Sequence, residues 1–170
     1  MRRILTLSIL IILNFTLQST VFGFHDIDSI TPNLLLILTM SFGLMRGRRE
    51  GMLVGFFSGF LLDIFFSSIL GPYMLVYMFI GYINGFFHKN YMVEDVMLPL
   101  IVIIVDEFAF NTVIYIICFL LQNHLNYTDY LRSIILPEML CTALLTIIIY
   151  KVYVVINRYL KLKVEGKENK

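Results

Sequence analysis

The chain has 170 residues, 59% of them hydrophobic and only 15% charged, with a mean hydropathy of +0.84, which is too little polar surface to clothe a water-soluble globule of that length. Its 13 Lys and Arg nearly balance its 12 Asp and Glu for a net charge of +1, so there is neither a basic nucleic-acid footprint nor an acidic tail. Cys118 and Cys141 both fall in apolar segments and read as small packing residues; with no CxxC, HExxH or His/Cys cluster, the sequence supports no metal site and no cofactor.

Six apolar segments follow one another as predicted membrane-spanning helices: Ile4–Phe24, Pro32–Met45, Gly51–Leu70, Gly71–Phe87, Val96–Leu121 and Ile134–Ile156. Met1-Arg2-Arg3 ahead of Ile4–Leu13 has the charge and apolar run of a secretory signal peptide. Asn14 and Gln18 interrupt that run, and only the poor Ser19-Thr20-Val21 offers a cleavage site, so the segment reads as a retained first span. A brief outer turn, Phe24–Thr31, carries Asp26 and Asp28, and Thr31-Pro32 opens the second span with Pro at the first helical position.

The third and fourth spans carry small residues at helical spacing. Gly51, Gly55 and Gly59 recur every four residues on one face, and Gly81 and Gly85 do the same on the next helix. Joined by a tight Gly71-Pro72 turn, the two are predicted to form a close antiparallel hairpin. Such faces serve either packing within one chain, which we favour, or a homo-oligomer seam. Asn90–Asp95 is a short cytoplasmic turn.

Acidic residues inside spans are costly, about 2.5–3.5 kcal/mol each at a helix centre. Asp63 in the third span and the pair Asp106 and Glu107 in the fifth are therefore expected to face protein or water. Glu107, Asn111 and Tyr115 are spaced four apart, a polar stripe aimed at Asp63, Tyr77, Tyr82 or Asn84 across the bundle. No Lys or Arg lies deep in a span to pair with these acids. They read as buried polar glue or as a partner contact, with a ligand or ion site as the alternative. Asp106 and Glu107 point about 100° apart on a helix and cannot act as one dyad, so no catalytic residue and no enzyme is indicated. His25, His88 and His124 sit in loops or at span ends and read as solvated. The longest polar pieces are Gln122–Ser133 and the tail Asn157–Lys170; its lysine-rich stretch Lys161–Lys167 is expected to fray near anionic headgroups. Neither can bury a core, so residues 1–170 read as a single membrane domain.

Threaded through six spans, Arg2, Arg3, Arg46, Arg48, Arg49, Lys89, Lys151, Arg158, Lys161, Lys163, Lys167 and Lys170 fall on one side and only Arg132 on the other, a split of 12 to 1 among the 13 bases. Omitting the short second span alone would leave three bases inside. The positive-inside rule thus predicts a six-pass, all-α integral membrane protein with both termini cytoplasmic.

Several runs together carry a resemblance. Pro32-Asn33-Leu34-Leu35-Leu36, Arg46-Gly47-Arg48-Arg49-Glu50-Gly51, Gly55-Phe56-Phe57-Ser58-Gly59-Phe60-Leu61-Leu62-Asp63, Leu70-Gly71-Pro72-Tyr73, Leu75-Val76-Tyr77 and Gly81-Tyr82-Ile83-Asn84-Gly85 resemble, in order and spacing, the rod shape-determining protein MreD family. Pro72 departs from the family pattern, and Asp106-Glu107 maps onto no family motif. The resemblance implies a non-enzymatic, multi-pass subunit of the bacterial cytoplasmic membrane. Its partners would be MreC and, through it, the actin-like MreB, the glycosyltransferase RodA and a class B penicillin-binding protein, which together build lateral-wall peptidoglycan. It also implies a bundle like the S-components of energy-coupling-factor transporters. That kinship brings the alternative of a substrate-binding subunit for a vitamin-type transporter, and fold alone does not choose between the two.

Overall fold

A computed structural model describes residues 2–21, 31–67, 70–90, 97–119 and 127–168. Among these residues the chain is helical, with no strand. The elements are α1 (Arg2–Val21), α2 (Leu34–Arg46), α3 (Arg48–Phe66), α4 (Pro72–Asn84), a 3-10 turn at Phe87–Asn90, α5 (Met97–Phe119), a four-residue α6 (Tyr127–Tyr130), a π-helical turn at Leu131–Ile135, and α7 (Leu136–Glu168). The turn around Asp26 and Asp28 expected on the outer side, residues 91–95 of the turn expected to be cytoplasmic, and the loop start at 122–126 with His124 lie outside the described residues, as does His25.

The centre of the molecule is α2. Every residue from Leu34 to Met45 is buried, because α1, α3, α4, α5 and α7 all pack on it. A helix apolar all round is stable only with such a jacket. Around it the exterior is also apolar: Leu5, Ile9, Phe57, Phe65, Val105, Leu144 and Val155 are each about half exposed or more. An apolar surface of this extent marks contact with a membrane or with other proteins. Two stretches, Met97–Ile117 and Thr128–Tyr159, are long and apolar enough to cross a membrane, and Leu5–Thr20 and Leu34–Arg46 are shorter apolar helices.

The most extensive helix contact joins α3 to α4. A Cβ built on Gly59 would lie 2.5 Å from Met74 Cα and from Tyr73 O of α4, and one on Gly51 would collide with the Gly81 carbonyl of α4 as well as lie 2.7 Å from Gly43 Cα of α2. Gly55 sits against the Tyr77 carbonyl, Gly81 against Gly51, and Gly85 against Arg48. The neighbours are backbone atoms, which cannot swing aside, so the two helices lie as close as their main chains allow.

Three boundaries differ from the sequence expectation. Arg48–Glu50, expected in a cytoplasmic loop, forms the first turn of α3; only Gly47, at φ 90°, separates α2 from α3, a conformation that suits a residue without Cβ. The third and fourth spans, expected to meet at residue 70, end at Phe66 and begin at Pro72, with Ser67 extended and Gly71 at φ 126°. The lysine-rich stretch Lys161–Lys167, expected to fray, instead continues α7, which runs to Glu168. Once nucleated, a helix propagates at little cost through Leu, Lys and Arg, and no Gly or Pro intervenes before Gly166.

Candidate functional site

Polar side chains converge where α2 begins. Asn33 is the N-cap of α2, and its Oδ1 accepts from Leu36 N at 3.2 Å, as expected of a short amide side chain at that position. The same oxygen accepts the Tyr77 hydroxyl of α4 at 2.5 Å, and the Asn33 N–H donates to Thr142 Oγ1 of α7 at 3.1 Å. From α1, Gln18 Oε1 accepts the Leu35 N–H at 3.2 Å. One helix start thus ties four helices together, with amides that would otherwise be orphaned in an apolar interior supplying the donors.

Glu107 of α5 borders this hub. It is fully buried. Asn111 Nδ2, one turn on, donates to Glu107 Oε1 at 3.4 Å, while Glu107 Oε2 has no hydrogen-bond partner. The Glu138 carboxyl of α7 lies within hydrogen-bonding reach of both Glu107 and Asn111. The next acid, Asp106, looks elsewhere: Asn84 Nδ2 of α4 donates to its Oδ2 at 2.5 Å. A turn of about 100° between adjacent helical residues sends the two carboxyls to different neighbours.

Asp63 serves a third purpose. Its Oδ1 accepts Tyr73 N at 3.1 Å and its Oδ2 accepts Met74 N at 2.9 Å. These are the second and third amides of α4, whose own cap residue is Gly71 and offers no side chain. Pro72 removes the first donor, and Asp63 from the preceding helix satisfies the next two. It also places a carboxylate at the positive end of the helix dipole.

The polar stripe expected along α5 is therefore divided. Glu107 and Asn111 meet the hub, and Tyr115 packs at a tilt against Tyr130 with centroids 5.0 Å apart. Asp63 stays with the hairpin, and Tyr82 is exposed, its ring against Phe86. Tyr77, fully buried, packs its edge on Phe110 at 5.2 Å. Gly51, Gly55, Gly59, Gly81 and Gly85 line the α3–α4 contact, and Gly71 makes the turn above it.

Three hub members were not singled out from sequence. Glu138 carried a usable signal, being a fourth acid inside a predicted span. Asn33 stood beside Pro32 where a helix was expected to begin. Thr142 offered no signal, since an in-span Thr bonds its own helix as readily as a neighbour.

At the opposite end, Arg46 Nε donates to Asn157 Oδ1 of α7, His88 Nδ1 lies 2.8 Å from the Leu44 carbonyl, and the Arg48 guanidinium sits 3.6 Å over the Phe86 ring. Between α4 and α5, Ile83, Phe87, Met97, Ile101 and Val105 line a cleft of about 630 Å³ with Asn84 and Asp106 at its polar edge. Among the described residues no group of three or more His, Cys, Asp or Glu is placed to hold a metal ion.

No curated protein and no solved structure matches the chain. The family model for the rod shape-determining protein MreD matches residues 1–158, a span that takes in α1 to α5, the polar hub and most of α7. The chain belongs to the MreD family, a family of membrane-associated proteins that determine rod shape.

Proposed function

We propose that this chain is a non-enzymatic scaffold of the bacterial cell-elongation machinery. It crosses the cytoplasmic membrane six times as one domain, with both termini inside, and holds MreC and, through it, MreB, RodA and a class B penicillin-binding protein at sites of lateral-wall synthesis. The family match over residues 1–158 carries this reading. The 12-to-1 distribution of bases supports the topology. The backbone-to-backbone hairpin and the buried hydrogen-bonded hub support a rigid body suited to presenting surfaces to partners.

Affinity purification from crosslinked membranes tests it: MreC and the wall synthases should be recovered together with the chain. Recovery of an ATPase module in their place would instead favour the substrate-binding subunit of a transporter. That alternative calls for a polar, aromatic-lined pocket at the outer face. The cleft between α4 and α5 lies at the end of the bundle predicted to be cytoplasmic and is lined mainly by aliphatic and Phe side chains.

A further inference from the structure

Two carboxyl groups meeting inside an apolar bundle need an explanation. Glu107 and Glu138 are within hydrogen-bonding reach of each other. Glu107 has no exposed surface and its Oε2 has no donor. Among the described residues no Lys, Arg or His pairs with either acid. The groups around them are Asn33 on α2, Tyr77 on α4 with Tyr73 one turn before it, Asp106 and Asn111 on α5, and Thr142 one turn beyond Glu138 on α7; Asp63 of α3 is engaged with α4 amides. The titratable members of that set are acids or phenols, so ionising both glutamates would place two adjacent negative charges in a medium that screens them poorly, with no cation to offset them. One proton resolves the geometry. Held between the two carboxyls, it supplies the donor that neither carboxylate has, while the amides of Asn111 and Asn33 lie beside Glu107.

We propose that Glu107 and Glu138 form a proton-binding site, and that the one proton they share latches α5 to α7. A second feature points to the same place. The π-helical turn Leu131–Ile135 lies immediately before the α7 turn that bears Glu138, and such turns shift the register of the helix beyond them at a cost in helix stability. Here the shifted register leaves the Glu138 carboxyl beside Glu107. Glu138 is partly exposed and stands near the start of the sixth predicted span, as its fifth residue. Loss of the proton would set carboxylate against carboxylate and loosen α7 from α5 near the Asn33 hub.

The full-length protein in lipid nanodiscs tests this in two ways. Infrared difference spectra across an alkaline titration should show the C=O stretch of a protonated carboxylic acid at neutral pH. The band should be lost in the Glu107→Gln/Glu138→Gln double variant and kept in Asp106→Asn. The wild-type melting temperature should fall as pH rises through that titration. Glu107→Gln carries a permanent N–H donor to Glu138 and should melt at a temperature that no longer follows pH. The proposal is overturned if the neutral-pH spectrum lacks the band, if Asp106→Asn alone removes it, or if the wild type melts independently of pH. It is equally overturned if added sodium, with no acid band present, raises the melting temperature and Glu107→Gln abolishes that response, since the pair would then hold a metal cation.

Discussion

Asp63 illustrates how a single carboxylate in an apolar helix is stabilised. Considered from sequence alone, any hydrogen-bonding side chain of similar shape would do, and Asn should replace it freely. The structure asks for more, because both oxygens accept backbone N–H groups at the start of α4. Asn keeps one acceptor and turns an N–H toward the other donor. Asp63→Asn should therefore cost about 1–2 kcal/mol, and Asp63→Ala about 2–3 kcal/mol, since it strips both part-buried amides of their partner. Thermal unfolding in detergent, with Asn84→Ala as a comparison outside the cap, measures the difference; equal melting of wild type and Asp63→Asn would show that the second oxygen is not needed. Tyr77 is a parallel case. Tyr77→Phe leaves Asn33 Oδ1 with the Leu36 amide alone and should cost about 1 kcal/mol while the ring's packing on Phe110 survives.

At the scale of elements, the α3–α4 hairpin rests on what its glycines lack. Even one methyl group on Gly55 or Gly59 would collide with the backbone of α4, so Gly59→Ala should already destabilise and Gly59→Leu should do so severely, by about 3 kcal/mol or more. Leu53→Ala, at a half-exposed position on the same helix, should cost well under half as much. The readout is the fraction of folded protein recovered by size-exclusion chromatography after membrane extraction; similar losses from Gly59→Ala and Leu53→Ala would mean the close approach matters little. Gly71 acts through backbone freedom instead. Nothing lies within 4 Å of a Cβ there, yet its φ is 126°, so Gly71→Ala should cost about 1–2 kcal/mol from strain alone, with no helix displaced. The turn at Gly47 explains why the basic run around it reads as a loop in sequence. Arg48 and Arg49 are charged and flank a glycine, but hydrogen bonding resumes one residue later because Gly47 redirects the chain in a single step.

For the whole molecule, the short helices are the puzzle. At 1.5 Å per residue, the 13-residue α2 and α4 are each about 20 Å long, less than a bilayer's hydrocarbon thickness of roughly 30 Å. Because α2 is jacketed by other helices, its ends need to be satisfied only by protein, and Asn33, Gln18 and Thr142 do so at its start. A helix that never meets lipid need not match its thickness. The six-pass proposal makes a direct prediction: reporters fused after Arg49, after Lys89 and at Lys170 should register cytoplasmic, and one within Asn123–Asp129 external. An external signal from the fusion after Arg49 would remove α2 from the list of spans and invert every later segment.

Hydropathy, the helical spacing of Gly51, Gly55 and Gly59, and the placing of the bases relative to the apolar segments are local or additive properties, and they are written in the chain without reference to its partners in space. The all-helical class, the order of the long helices and the family were legible for that reason. Which polar group meets which was not. Glu107 was expected to reach toward Asp63, Tyr77, Tyr82 or Asn84; it does lie near Tyr77, through their shared neighbour Asn33, but it also borders Glu138, while Asn84 is taken by Asp106 and Asp63 by the start of α4. Those choices depend on how far each helix is rotated about its axis and shifted along it. Packing around α2, the glycine contact and the π-helical turn before Glu138 set these jointly, so only the folded molecule decides them. The run of α7 to Glu168 has the same origin in reverse: composition marks Lys161–Lys167 as polar, but a polar segment continues a helix when the preceding turns have already met the cost of nucleation.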